Sequence, residues 1–118
     1  KYFLNTAASL AYKAVAEMKS LTKKLNGKED SAYGLAGLGD LYVSSAGGRN
    51  SKMGYYLGQG HLFKEAKEKF MKDITVEGAD LAYEIGPKIL KDFEEKEFPL
   101  LFSVIKSICK NQKLEINW

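Results

Sequence analysis

The chain has 118 residues, 45% of them apolar and 28% charged, with 18 basic against 15 acidic side chains and a net charge of +3. That size and balance suit one soluble domain able to bury a core, and the interleaved charges supply no basic tract for nucleic acid. No apolar run reaches the roughly 18 residues of a membrane span. The single cysteine, Cys109, cannot form an internal disulfide, so a reducing, cytoplasmic setting is expected.

The chain shows no signal-peptide pattern and opens without Met at Lys1, directly onto a helical pattern; it is expected to be a piece of something longer. Tyr2 to Leu25 read as a long amphipathic helix, with Leu4, Ala7, Ala8, Ala11, Ala14, Val15, Met18, Leu21 and Leu25 at spacings of three and four. Asn26-Gly27 stops it, after lysines that complement the helix dipole. Glu29 and Asp30 then sit where acids belong, in the first turn of a second helix expected from about Glu29 to Ser45.

That second helix carries Gly34, Gly37 and Gly39. Each interior glycine costs about 1 kcal/mol relative to alanine. Close approach of another backbone or of a ligand is the usual compensation; the plainer alternative is a loop. Ala46-Gly47-Gly48 breaks the pattern, and a short helix is expected from about Asn50 to Leu57, ended by Gly58-Gln59-Gly60. A further helix spans about Leu62 to Lys72, followed by an extended connector at Ile74 to Val76. Glu77 opens the next, with Leu81, Ala82, Ile85, Ile89, Leu90 and Phe93 apolar and a break or kink expected at Gly86-Pro87. Phe98-Pro99 begins the last clear helix, through Ile108, because proline is favourable at a first helical position. Lys113 to Trp118 is a tail that fits a short strand or coil. No alternating strand pattern of any length occurs, so the fold class is all-α.

Tyr33 to Gly60 holds eight of the eleven glycines and the sole arginine, Arg49, against seventeen lysines elsewhere. Gly47-Gly48-Arg49-Asn50 places a guanidinium fork and free backbone N–H groups at a helix start, which makes an anion site; the alternative is a flexible loop with a surface arginine. Asn50 suits a helix cap or a ligand contact. Asp40 suits a ligand hydroxyl while Arg49 holds a phosphate; it equally suits a structural partner of Arg49 or a solvated acid. Glu77 in a first helical turn is favoured by the dipole and needs no function. His61 has no companions at metal-ligand spacing, and no metal is expected. Cys109 reads as a core thiol, and Phe3 and the Tyr55-Tyr56 pair as packing rather than base-stacking platforms.

The string GLAGLGDL, then GGRN, then GYYLGQG, resembles the C-terminal domain of NAD(P)-dependent glycerol-3-phosphate dehydrogenases. Upstream, Asn5-Thr6, Leu10 and Ala16-Glu17-Met18 are similar to the family's opening helix; downstream, Thr75-Val76-Glu77-Gly78 is similar to its VVEG, and Phe98-Pro99 to its Met-Pro. The resemblance covers at least Asn5 to Ile105. It implies that residues 1–118 form a helical substrate domain of the kind seen in 6-phosphogluconate dehydrogenase-like two-domain enzymes, with an N-terminal Rossmann domain as partner. The implied reaction interconverts dihydroxyacetone phosphate and sn-glycerol 3-phosphate with NAD or NADP, feeding glycerophospholipid synthesis. Asp40, Gly48, Arg49 and Asn50 are the implied substrate-binding positions; Arg49, Thr75 and Glu77 are the implied cofactor contacts.

Three departures stand out. Gly48 replaces the serine usual before Arg-Asn, removing a hydroxyl; the preceding turn is about two residues short; Ala7 stands where many members carry lysine. The family's general acid/base lysine is expected upstream of this chain, so the fragment alone is expected to be inactive. A homodimer is compatible with the resemblance. Alternatives are a related two-domain dehydrogenase for another phosphorylated or acidic hydroxy compound, separable by substrate competition, and a non-enzymatic helical interaction module, separable by the absence of an upstream G-x-G-x-x-[GA] turn.

Overall fold

A computed structural model describes residues 4–117. The expectations placed on Lys1, Tyr2, Phe3 and Trp118 lie outside the described residues. Among those described, six α-helices form with no strand: α1 (Leu4–Lys24), α2 (Asp40–Ser45), α3 (Arg49–Gly58), α4 (Phe63–Phe70), α5 (Glu77–Asp92) and α6 (Pro99–Cys109). The tail from Lys113 to Asn117 is irregular. The chain forms two compact units, one ending at Ala46 and the other beginning at Gly47.

In the first unit α1 ends where the sequence indicates. Asn26 takes a left-handed φ of 63°, and the Gly27 N–H donates back to the Thr22 carbonyl at 2.8 Å. Lys19 and Lys23 reach Glu29 at 3.7 and 3.6 Å, which fastens α1 to the segment that follows. The single second helix expected from Glu29 to Ser45 does not form. It is three pieces: a 3-10 helix at Glu29–Tyr33, a π-helical turn at Leu35–Gly39, and α2. The break comes at Gly34, which is extended at φ −87°, ψ −167°. The π turn then closes with the Gly39 N–H donating to the Gly34 carbonyl at 3.1 Å. Gly37 explains why glycine is needed here. It is buried, and a Cβ on it would stand 2.2 Å from the Ala32 carbonyl oxygen. The close approach is therefore to the chain's own backbone. This unit buries little: Val15, Ala32 and Gly37 are its buried described residues, while Tyr12, Leu35, Tyr42 and Val43 are exposed.

The second unit holds the main core. Met53 and Leu57 of α3, Phe63 and Ala66 of α4, Ala79 and Ala82 of α5 and Ile108 of α6 close around the connector residues Met71 and Val76. Of the apolar positions expected on α4 and α5, Phe63, Ala66, Ala82 and Ile89 are buried, whereas Leu81 and Ile85 are exposed. α5 runs through Gly86-Pro87 to Asp92 as one helix, so of the break or kink expected there, no break occurs. Gly86 lets α6 approach: a Cβ there would lie 2.9 Å from Cys109 Sγ and 3.0 Å from Ile105 Cγ2. Cys109 Sγ donates to the Ala82 carbonyl at 3.2 Å, and burial pushes its thiol pKa up, as suits a packing thiol rather than a nucleophile. Ser107 Oγ on α6 is buried without a partner among the described residues.

Gly86→Ala should lower stability despite the better helix propensity of alanine. Overpacking costs about 1–3 kcal/mol, against a propensity gain of about 1 kcal/mol. Urea denaturation reads the net loss, and adding Cys109→Ala should recover part of it.

Candidate functional site

The second unit brings the starts of α3 and α5 together. The Asn50 Oδ1 accepts the Gly78 N–H at 3.0 Å, and the Arg49 guanidinium pairs with the Glu77 carboxylate. Two consecutive residues on α3 thus engage two consecutive residues on α5.

The reason lies in how α5 begins. Its N-cap position is Val76, which is 4% exposed and packed in the core. A valine carries no acceptor for the free N–H groups of the first turn. Asn50, 28 residues earlier in sequence, takes over that role at the second amide of α5. α4 repeats the arrangement. Its N-cap position is Leu62, and the Lys64 N–H donates to Asn111 Oδ1 at 3.0 Å, with Asn111 held in a left-handed φ of 51°. Both helices start on an apolar residue and are capped from a distance.

α3 itself follows Gly48, whose backbone stands at φ 110°, ψ 176°. Almost only glycine occupies that region. The Gly48 carbonyl accepts the first helical bond, from the Lys52 N–H at 2.9 Å. Gly48, at the N-cap position of α3, has no side chain with which to cap it, and Arg49 is the first residue of the helix. The Arg49 side chain is 54% exposed and Glu77 66%. An incoming anion would meet a guanidinium and a helix start, with a carboxylate already at hand.

The predicted positions divide between the two units. Gly48, Arg49, Asn50 and Glu77 meet in the second, and Thr75 is exposed two residues before Glu77 in the connector. Asp40 belongs to the first, exposed at the start of α2. Asp40 directly follows Gly39, which lines an open apolar hollow with Tyr33, Leu35, Leu38 and Tyr42. Arg49 takes Glu77 as its acidic partner. Sequence reasoning leaves Asn50 open between cap and ligand contact; it caps, but on α5 rather than on its own helix. Gly78 and Asn111 escape it altogether. The one signal available is the absence of Ser, Thr, Asp or Asn at the starts of α4 and α5, which requires caps from elsewhere.

His61, half-buried, joins its Nδ1 to Glu65 at 2.8 Å and stands edge-on to Tyr56 and Phe70, which stack at 4.5 Å between centroids. Its hydrogen bond, followed by the charge of Lys69, holds the Glu65 carboxyl below the usual range. No group of three or more metal-ligating side chains occurs among the described residues, and no described helix is long and apolar enough to cross a membrane.

Residues 1–116 match the family model for the C-terminus of NAD-dependent glycerol-3-phosphate dehydrogenase. The chain belongs to that family. It is 38% identical over 105 residues to an NAD(P)+ glycerol-3-phosphate dehydrogenase of Lactobacillus delbrueckii subsp. bulgaricus, covering 85% of this chain and 29% of that protein. It is 34% identical over 116 residues to an NADP(+)-dependent glycerol-3-phosphate dehydrogenase of Archaeoglobus fulgidus, covering 94% and 33%. A Francisella philomiragia relative of the same type shares 34% over 110 residues, covering 92% and 32%. The chain spans about a third of the length of these relatives. No solved structure matches it significantly. At position 48 the backbone supplies a reason for glycine: the chain passes there through a conformation that side chains resist.

Three outcomes follow for the 118-residue chain in urea denaturation. Asn50→Ala should cost about 1 kcal/mol by uncapping α5, whereas Arg49→Ala should stay within about 0.5 kcal/mol, since an exposed ion pair contributes little. Gly48→Ser should cost about 1–3 kcal/mol from backbone strain alone, because a Cβ there meets nothing within 4 Å; a gain in stability would refute the conformational account.

Proposed function

We propose that this chain is the substrate-holding domain of an NAD(P)-dependent glycerol-3-phosphate dehydrogenase, working with a dinucleotide-binding Rossmann domain in the cytoplasm. Membership in the family and the activity for which its relatives are named support the reading. The observation that carries it is the sole arginine, exposed as the first residue of α3 after a glycine N-cap and beside Asn50. That pairing of a bidentate cation with free helix N–H groups suits a phosphate dianion.

In this reading Arg49 holds the phosphate of dihydroxyacetone phosphate or glycerol 3-phosphate. Asn50 fixes the turn from which Arg49 projects and presents its amide group alongside. Gly48 keeps the approach to the backbone open. Asp40, exposed in the first unit, is the position that the resemblance assigns to a substrate hydroxyl. The exposed acid Glu77 and the exposed hydroxyl of Thr75 offer polar contacts suited to a dinucleotide, and Arg49 suits its phosphates. The bound nicotinamide supplies or accepts the hydride. The proton at the C2 oxygen is assigned to a lysine outside these 118 residues, so the chain alone binds without turnover.

In the full-length enzyme, Arg49→Ala should raise KM for dihydroxyacetone phosphate by about 10- to 100-fold, the worth of one or two charge-assisted hydrogen bonds. Asp40→Asn should lower kcat as well. An unchanged KM in the arginine variant would remove the phosphate assignment.

A further inference from the structure

We propose that Glu77 is a positioning residue that pairs with the Arg49 guanidinium and gives it up when a phosphate arrives. The proposal rests on the reading of Arg49 as a phosphate clamp and adds a second state to it. Glu77 then acts as an internal competitor of the ligand, and its effect is on affinity.

Three observations carry it. First, the Arg49 guanidinium has an acidic partner within the domain: it pairs with the Glu77 carboxylate. Second, the pairing is pre-set by the backbone. The Asn50–Gly78 hydrogen bond next to it locks the starts of α3 and α5 in register, which places residues 49 and 77 opposite each other. Third, both side chains are more than half exposed, 54% and 66%. An exposed pair is weak enough to exchange one acidic partner for another, whereas a buried pair is not. A phosphate dianion offers the same fork-matching oxygens as a carboxylate, with more charge. When phosphate takes the guanidinium, Glu77 swings free into solvent while the Asn50 cap keeps the two helix starts in place. The exchange therefore needs only a side-chain rotation.

Nuclear magnetic resonance on the isotopically labelled 118-residue chain tests this directly. Arg49 is the sole arginine, so its Nε–H signal is assigned by composition. Inorganic phosphate is titrated into the wild type and into Glu77→Gln and Asp80→Asn. Asp80 lies in the same first turn of α5, so its variant removes an equal charge while leaving the Arg49–Glu77 pair intact. Phosphate is expected to shift the Arg49 signal in all three chains. The Glu77→Gln chain should bind about two- to fivefold more tightly than wild type, the fold-change expected from removing an exposed ion pair. The Asp80→Asn chain should stay close to wild type. In the wild type the Glu77 carboxyl carbon should shift along the same binding curve, while the Gly78 amide, still held by Asn50, stays in place. Equal affinity in wild type and Glu77→Gln overturns the exchange and leaves the phosphate clamp standing. An equal gain in Asp80→Asn overturns it in favour of general charge. No shift of Arg49 in any chain removes the clamp and the exchange together.

Discussion

The hydrogen bond from the Gly78 N–H to the Asn50 side chain is the interaction on which the candidate site depends. It satisfies an amide that α5 cannot satisfy for itself, and in doing so it fixes one helix start against another. A free helix N–H near a protein surface would cost less than a buried one, but its direction would be unconstrained. With the amide tied to Asn50, the residue before each partner is placed as well. Arg49 and Glu77 meet because their neighbours already have.

The demand for this bond comes from the core. Val76 sits at the point in α5 where a capping side chain would normally stand, and the core uses it instead, against residues of α3, α4 and α6. One position cannot both fill an apolar core and accept a hydrogen bond. The same conflict at Leu62 is resolved the same way, with Asn111 reaching back to α4. Capping from a distance joins segments far apart in sequence: residues 50 and 78, then residues 64 and 111. These polar bonds add orientation to a core whose apolar contacts alone would tolerate rotation of each helix about its axis.

The glycine-rich stretch serves two separate ends. In the first unit Gly37 admits the Ala32 carbonyl at a distance no side chain tolerates, and a π-helical turn results. In the second, Gly48 turns the chain through φ 110° immediately before the arginine. What the sequence presents as one glycine-rich anion loop is a tight backbone packing in one unit and a reversal at a helix start in the other. Arg49 and Asn50 belong with the reversal. The family's motif runs across both, which is why it reads as continuous.

By itself the sequence determined the helical class, the C-terminal end of α1 and the ends of α3 and α6 to within a few residues, part of the apolar surface that builds the core, and the family. Each of these follows from local rules: period, turn residues, proline placement, or a motif long enough to be specific. Gly34 and Gly37 were visible as costly in a helix, but not as the cause of a 3-10 and a π segment, because that outcome depends on where the Ala32 carbonyl lies in space. Gly86-Pro87 read as a break or kink, yet the helix is unbroken, with α6 packed closely against the bare Gly86 backbone. Arg49, Asn50 and Glu77 could be singled out from residue type and motif. Their partnership could not, because residues 49 and 77 are linked by no local rule. Only the tertiary structure decided that Asn50 caps α5 and that Arg49 rests on Glu77: two helix starts 28 residues apart must first be brought together by a shared core before their polar groups can choose one another.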